Sequence, residues 1–463
     1  MTGYSGFAAS SRPTRHLLLA LGAAVGLGGC TLAPRDTALE QAKVTAVAAA
    51  YEPPVAARQL PALPAPADWR AVLHRAFLAN GELEAAYFNW KAALDNVAIA
   101  STWPNSMFSP QFGYLFSSGN MTTWNRTSLS GGFDPAVPLQ FPIKAQVAGK
   151  AALEAAREAG ERFRAVKFDL QRRVLMAYWD LALTDEKIRI ERENLTILRL
   201  LMASAAYRAQ AGGPLQDLLR AQVEAQLAEN DLANLAADAA SQRGALNGLL
   251  GRDGTAPLTL PPALPPPRVM VAGDAQLIAV AVDQNPELAG LARQVAGRED
   301  ALELARLAYL PDILPSFSVA GSISQSITNM FMLPTTLPAI RGAIAQAAAM
   351  QRSSEAVLRQ ITRDRAASFV ANLYLMRNAE RQTDFYRTRV VPAIAQLLAT
   401  SRREYAAGTV GFADLIESER TYISVRFMVA DSRIAREKRL TDLEALAGAD
   451  AQMLGRAGAP GHP

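Results

Sequence analysis

The side chains that most often carry chemistry are scarce in this 463-residue chain, which has one cysteine, Cys30, and three histidines, His16, His74 and His462. A lone cysteine excludes a disulfide framework and any multi-cysteine metal or redox site. Three scattered histidines leave little for imidazole catalysis, and His74 reads as a helix-surface residue. Met330 and Met332 offer thioether sulfur, but they flank Phe331 in a stretch that reads as facing lipid or core rather than a copper ion. No nucleophile elbow, phosphate loop or paired-carboxylate arrangement stands out. The sequence thus points to no enzyme, no metal and no cofactor. Two features remain: a thiol closing an apolar run, and the carboxylates Asp414 and Glu417 just after a glycine turn.

The thiol has a defined context. Arg12, Arg15 and His16 precede the apolar run Leu17–Leu27, which is shorter than the roughly 20 residues a spanning helix needs. The run ends in Leu27-Gly28-Gly29-Cys30, which resembles a bacterial lipobox in which the cysteine becomes the lipid-modified N-terminus. Residues 1–29 are then a signal peptide, and residues 30–68, rich in Ala and Pro, a lipidated linker. Thr31 follows the cysteine where an aspartate would retain such a protein at the inner membrane, so the sorting rule implies the outer membrane. The competing expectation is an ordinary cleaved signal with an incidental cysteine.

A net charge of +4 is too small and too scattered for a nucleic-acid partner. Charged residues make up 19% and hydrophobic ones 50%, against about 25% charged in ordinary soluble domains. Part of the surface therefore faces something less polar than water.

The elements that would carry these residues occur twice. Residues 69–250 and 275–448 follow one order, separated by a proline-rich linker at 251–274. Each half opens on an asparagine (Asn80-Gly81-Glu82-Leu83; Asn285-Pro286-Glu287-Leu288), passes a charge-free stretch, and re-enters a long helix near a proline. Helical hairpins are expected at about 142–250 and 339–447, with residues 449–463 as a flexible tail. Val174, Leu181, Ile188, Leu195 and Met202 recur every seventh residue, as do Leu218, Ala225, Leu232, Ala239 and Leu246. That spacing keeps one seam against a partner helix and implies a coiled coil. Pro392 should kink the second ascending helix.

No Asp, Glu, Lys or Arg occurs from Asn96 to Asn125 or from Ile313 to Ile340. Prolines break both stretches, so neither is a spanning helix. Ser316, Ser318, Ser322, Ser324 and Ser326 alternate with Phe317, Val319, Gly321 and Ile323, and period two means strand. We expect β-hairpins at about 108–133 and 315–333, with hydroxyls on a wet face and apolar side chains toward lipid. Trp103, Phe108, Trp124, Tyr309 and Phe331 would lie near the interfaces. Four strands cannot close a barrel alone, because the smallest membrane barrels have about 8.

From Trp69 to Gly448 the layout resembles the outer-membrane efflux channels of the TolC type, in their lipoprotein branch. The telling stretches are Asn285-Pro286-Glu287-Leu288, Tyr309 to Pro315, and Tyr405-Ala-Ala-Gly408-Thr409 with Asp414-Leu415-Ile416-Glu417. The resemblance implies a mostly α fold with a membrane β-barrel. A homotrimer would build a twelve-stranded barrel in the lipid bilayer above an α-helical barrel in the periplasm. It also implies a periplasmic adaptor (membrane fusion) protein and an inner-membrane pump as partners, and drugs or metal ions as cargo. By the same resemblance Tyr405, Asp414 and Glu417 match gate residues, and Gly212, Gly213, Gly408 and Gly411 mark the adaptor-contact tips. Asp414 and Glu417 equally suit plain first-turn residues favoured by the helix dipole. Val410 stands where some members carry a tethering arginine. The alternatives are a channel for type I protein secretion and, from another class, a structural periplasmic coiled-coil lipoprotein.

Overall fold

The computed structural model describes residues 32–102, 107–116, 119–134, 139–270 and 273–450. The signal segment, Cys30, Trp103 and most of the expected tail lie outside the described residues. The helices are α1 (Thr37–Tyr51), α2 (Trp69–Ala79), α3 (Gly81–Ala100), α4 (Pro142–Gln210), α5 (Leu215–Leu249), α6 (Asp274–Asp283), α7 (Pro286–Arg306), α8 (Leu337–Phe385), α9 (Val391–Ala407) and α10 (Phe412–Ala447). The strands are β1 (Phe108–Tyr114), β2 (Thr127–Phe133), β3 (Asp312–Ala320) and β4 (Ser324–Met332). Two compact units result. One gathers the segment up to Ala42, Lys91–Ala156 and Arg293–Ser354; the other gathers Lys43–Trp90, Arg157–Ala292 and the chain from Glu355 onward. Each unit therefore draws on both halves of the sequence.

The first unit holds one antiparallel sheet in the order β1-β2-β3-β4. Register puts Phe112 opposite Leu129 and Leu129 opposite Val319, while Phe317 faces Ile327 and Ile313 faces Phe331. The alternate set pairs Ser109 with Gly132, Gln111 with Ser130, Ser318 with Ser130, and Ser316 with Thr328. One face is thus apolar and aromatic and the other carries small hydroxyls and amides, as the period-two pattern predicts. Phe108 stacks at 6.1 Å on Phe317 and meets Phe133 edge-on at 5.5 Å. Gly131 makes room for those rings, since a Cβ there would lie 2.5 Å from Phe108 and 2.8 Å from Phe317. Ser322 and Ile323 fall in the β3–β4 turn rather than in a strand. Asn125 Oδ1 holds that turn by accepting from the Ser322 N–H at 3.0 Å and hydroxyl at 2.6 Å. Lys144, in the first turn of α4, reaches Asp312 Oδ1 at 2.8 Å and the Leu310 carbonyl at 3.0 Å, tying a helix start to a strand start.

In the second unit the seven-residue seams point inward. Val174, Leu181, Ile188 and Leu195 of α4 are buried, as are Ala225, Ala239 and Leu246 of α5. The two repeat-opening asparagines cap helices: Asn80 Oδ1 accepts from the Glu82 and Leu83 N–H groups, and Asn285 Oδ1 from that of Leu288. Pro286 sits at the first helical position, where a missing N–H costs nothing. The irregularity expected at Pro392 takes the form of a π turn, Tyr386–Val390, between α8 and α9. Proline cannot donate to the carbonyl four residues back, and the ladder slips so that the Val391 N–H reaches Tyr386.

The proline-rich linker is bound, not loose. Arg268 at its end donates to Glu437 Oε2 at 2.8 Å, Glu444 Oε2 at 2.8 Å and Thr441 Oγ1 at 3.0 Å, all on α10. Its guanidinium lies 5.4 Å from the Trp69 ring centre and 6.0 Å from that of Trp179. Burial alone would lower its pKa, and the carboxylates of Glu444 and Glu437 more than reverse that. Arg436 extends the network from Glu437, at 2.5 Å, to Glu380, at 3.0 Å. Nothing in the sequence pattern marked Arg268, because a cation behind a run of prolines has no periodicity to read.

Glu191 of α4 is buried with Oε1 accepting from Asn194 Nδ2 at 2.9 Å. Burial, with Asp231 nearby, raises its pKa although the amide opposes the shift. The unfolded chain then releases this proton at lower pH than the folded one, so the group favours folding fully below its unfolded pKa and loses that contribution as pH rises through the folded value. Glu191→Gln is expected to raise the melting temperature at pH 7 and leave it unchanged near pH 4, as thermal scans at the two pH values would register.

Candidate functional site

The site lies in the second unit, where the tips of two helical hairpins meet. Both ascending helices stop the same way. At the end of α4 the Gly213 N–H bonds the Arg208 carbonyl at 2.8 Å, with Gly212 left-handed at φ 89°. At the end of α9 the Thr409 N–H bonds the Glu404 carbonyl at 3.0 Å, with Gly408 left-handed at φ 77°. Each is a six-to-one helix stop that needs a glycine in the left-handed position. These bonds make Arg208 and Glu404 structural equivalents, so Tyr207 and Tyr405 do not correspond. Tyr207 is exposed and Tyr405 is buried.

Tyr405 packs into a core shared by four helices, with Leu195 and Leu198 of α4, Ala221 and Ala225 of α5, Leu398 of α9, and Phe412 and Leu415 of α10. Its ring meets Phe412 at 5.5 Å. Arg208 joins the two tips. Its Nη2 donates to the Tyr405 carbonyl at 3.0 Å and to that of Ala406 at 3.4 Å, and its guanidinium stands 4.2 Å over the Tyr405 ring. Those carbonyls belong to the last turn of α9, where a cation also meets the negative end of the helix dipole. Burial raises the Tyr405 pKa, and the neighbouring Arg208 partly offsets it. A second polar layer lies just behind. Ser401 and Ser418 hydroxyls are 3.0 Å apart, and buried Glu419 accepts from Arg402 at 2.8 Å while its Oε1 lacks a hydrogen-bond partner.

Asp414 and Glu417 are both exposed on the first turns of α10. Gly411 is the N-cap and has no side chain to offer. Asp414 Oδ2 lies 3.5 Å from where a Gly411 Cβ would stand, and neither carboxylate makes a hydrogen bond among the described residues. The two acids are therefore placed beside the tips without serving as side-chain caps. Among the described residues no group of His, Cys, Asp and Glu could hold a metal ion.

The model of the outer membrane efflux protein family matches residues 72–252, which span α3, β1, β2 and the whole first helical hairpin. A curated relative, protein CyaE of Bordetella pertussis, is 29% identical over 313 residues. That alignment takes in 63% of this chain and 65% of CyaE, so this chain spans just under two thirds of its relative. Among solved structures, the outer membrane protein VceC of Vibrio cholerae superposes with a TM-score of 0.67 at 14% identity, covering 82% of this chain and 96% of that one. The MtrE outer membrane channel of Neisseria gonorrhoeae, in its open state, gives 0.66 at 19%, covering 82% and 89%. At such identities the likeness is one of fold: long helical hairpins with a few strands. The sequence reading missed Arg208, although a basic residue in the last turn of a helix one position past Tyr207 was a signal that could have found it.

Proposed function

We propose that this chain is the outer-membrane channel of an efflux system, a passive conduit rather than an enzyme. Copies would assemble as a trimer, and substrates would pass from a periplasmic adaptor and an inner-membrane pump to the exterior. The observation that carries this reading is the four-stranded sheet, apolar on one face and lined with hydroxyls on the other, with both edges unpaired among the described residues. An unpaired edge in hydrocarbon costs several kcal/mol for each exposed group, whereas a sheet with one wet face suits a lumen wall. No described helix is long and apolar enough to cross a membrane. The match of residues 72–252 to the outer membrane efflux protein model supports the same assignment. Lipidation of Cys30 would add an anchor.

In this reading the hairpin tips form the periplasmic entrance, with the glycine turns at Gly212-Gly213 and Gly408 to Gly411 as the adaptor contacts. Arg208 holds the tips together around Tyr405, and several copies of Asp414 and Glu417 make a negative collar. Purified protein in a planar bilayer should conduct ions, and its failure to form any channel would remove the proposal. Replacing both Asp414 and Glu417 with alanine should lower cation over anion selectivity several-fold in reversal-potential measurements. Unchanged selectivity would return them to ordinary first-turn residues.

A further inference from the structure

A seam between copies of this chain exists only if the proposed channel does, and closure alone leaves the register of that seam open. The hydrogen bonds of the sheet narrow it. The Leu115 N–H donates to the Arg126 carbonyl at 2.8 Å, continuing the β1·β2 register. Backbone groups alternate sides along a strand, so odd-numbered residues of β1 serve β2. Phe108, Pro110, Phe112 and Tyr114 then turn theirs to the open edge. The Gly321 N–H donates to the Thr127 carbonyl at 3.0 Å, so odd residues of β3 serve β2 and even ones serve β4. At the far edge Gln325, Ile327, Asn329 and Phe331 are left facing outward.

Both outward sets lie on the apolar face. An even number of strands makes this so: the outward groups of β4 and those of the next copy's β1 meet with their faces matched and their directions antiparallel. Head-to-tail joining therefore continues the ladder without a break, whereas two like edges joined together would leave the other two bare.

The stagger follows from tilt. Ser109, Gly132, Ser316 and Thr328 are successive partners straight across the sheet. If the next copy's Ser109 faced Thr328, the strands would run along the barrel axis. Strands about 4.8 Å apart with a rise of about 3.4 Å per residue tilt by roughly 35° for a stagger of four residues per copy and roughly 47° for six. Two residues give only about 19°, and membrane barrels tilt by about 35–45°. Face matching forbids odd values, and because the stagger is per copy the result does not depend on how many copies close the ring. Direction is set by chirality. With the apolar face outward, the right-handed slant of barrel strands moves the seam toward the C-terminal end of β1. The opposite shift would set Thr328 against residue 105, ahead of β1.

We propose that β4 of one copy pairs with β1 of the next at a stagger of four or six residues, so that Thr328 faces Gly113 or Leu115 of its neighbour. Pro110, which has no N–H to give, then lies opposite Phe331 or Leu333, near the end of the seam, where a lost bond costs least.

Paired cysteines test it in the full-length protein in native outer membranes. A stagger of four sets Met330 opposite Gln111, and a stagger of six sets Thr328 opposite Leu115, both as close pairs that bond to other strands and suit a disulfide. On oxidation, either Met330→Cys with Gln111→Cys or Thr328→Cys with Leu115→Cys should give a ladder of linked copies on a non-reducing gel, with single-cysteine variants as controls. Linkage only in Thr328→Cys with Ser109→Cys would overturn the stagger and leave the joining of copies intact. No linkage in any pair, with the protein folded in the membrane, would overturn the seam and the proposed channel together.

Discussion

Arg268→Met is expected to destabilise the fold by about 3–5 kcal/mol, the cost of removing one partner from a buried ion-pair network. The side chains of Arg268, Glu437 and Glu444 are only 11%, 6% and 3% exposed, so solvent can do little to relieve the two carboxylates. Glu437 would keep Arg436, while Glu444 would lose both of its bonds to the guanidinium. Arg268→Lys should recover only part of the loss, because one ammonium cannot reproduce a planar fork serving Glu437, Thr441 and Glu444 at once. Thermal denaturation in detergent would measure this. A triple variant with Glu437→Gln and Glu444→Gln added should regain much of the stability if charge burial is the cause. Equal melting temperatures for wild type and Arg268→Met would show that the linker is held by its prolines and the tryptophans instead.

Arg208→Ala is expected to shift the tips toward a separated state by about 10- to 100-fold. Hydrogen bonds from a charged donor contribute about 1.5–3 kcal/mol, and the guanidinium over the Tyr405 ring adds about 0.5–1 kcal/mol where it is partly exposed. No other described hydrogen bond joins these two turns, so the loss falls on the link itself. Tyr405 would remain packed on Phe412 and Leu415, which separates this variant from one that unfolds the region. Single-channel recording should show higher conductance or a longer open time, with the melting temperature little changed. Arg208→Lys should fall between the two, keeping the charge and losing the reach to two carbonyls. A variant whose conductance matched wild type would make Arg208 a helix-end residue and nothing more.

Much of this molecule could be read from residue order because its elements are periodic. Seven-residue spacing marked the inward seams of α4 and α5, and serine–aromatic alternation marked the strand faces. Asparagine before an acidic helical start marked where each repeat opens, and glycine after a helical run marked both tips. Each of these is a local signal, decided within about a turn or a hairpin. Tyr405 was legible as a tip residue but not as a buried one; Tyr207, also just ahead of a glycine turn, is exposed. The six-to-one bonds, not the tyrosines, align the two repeats.

The contacts between distant segments needed coordinates. Arg208 and Tyr405 are 197 residues apart and Arg268 and Glu444 are 176 apart; no pattern links such pairs, because the partner is chosen by which helices come to lie side by side. The same holds for the sheet. Alternation told which residues share a face within a strand, yet the parity of the ladder, and with it the groups left open at β1 and β4, depends on which residue pairs with which. Periodicity constrains one element at a time, and so it determined the helices, strands and caps. Packing and pairing join elements whose separation along the chain carries no signal, and only the tertiary structure decided those.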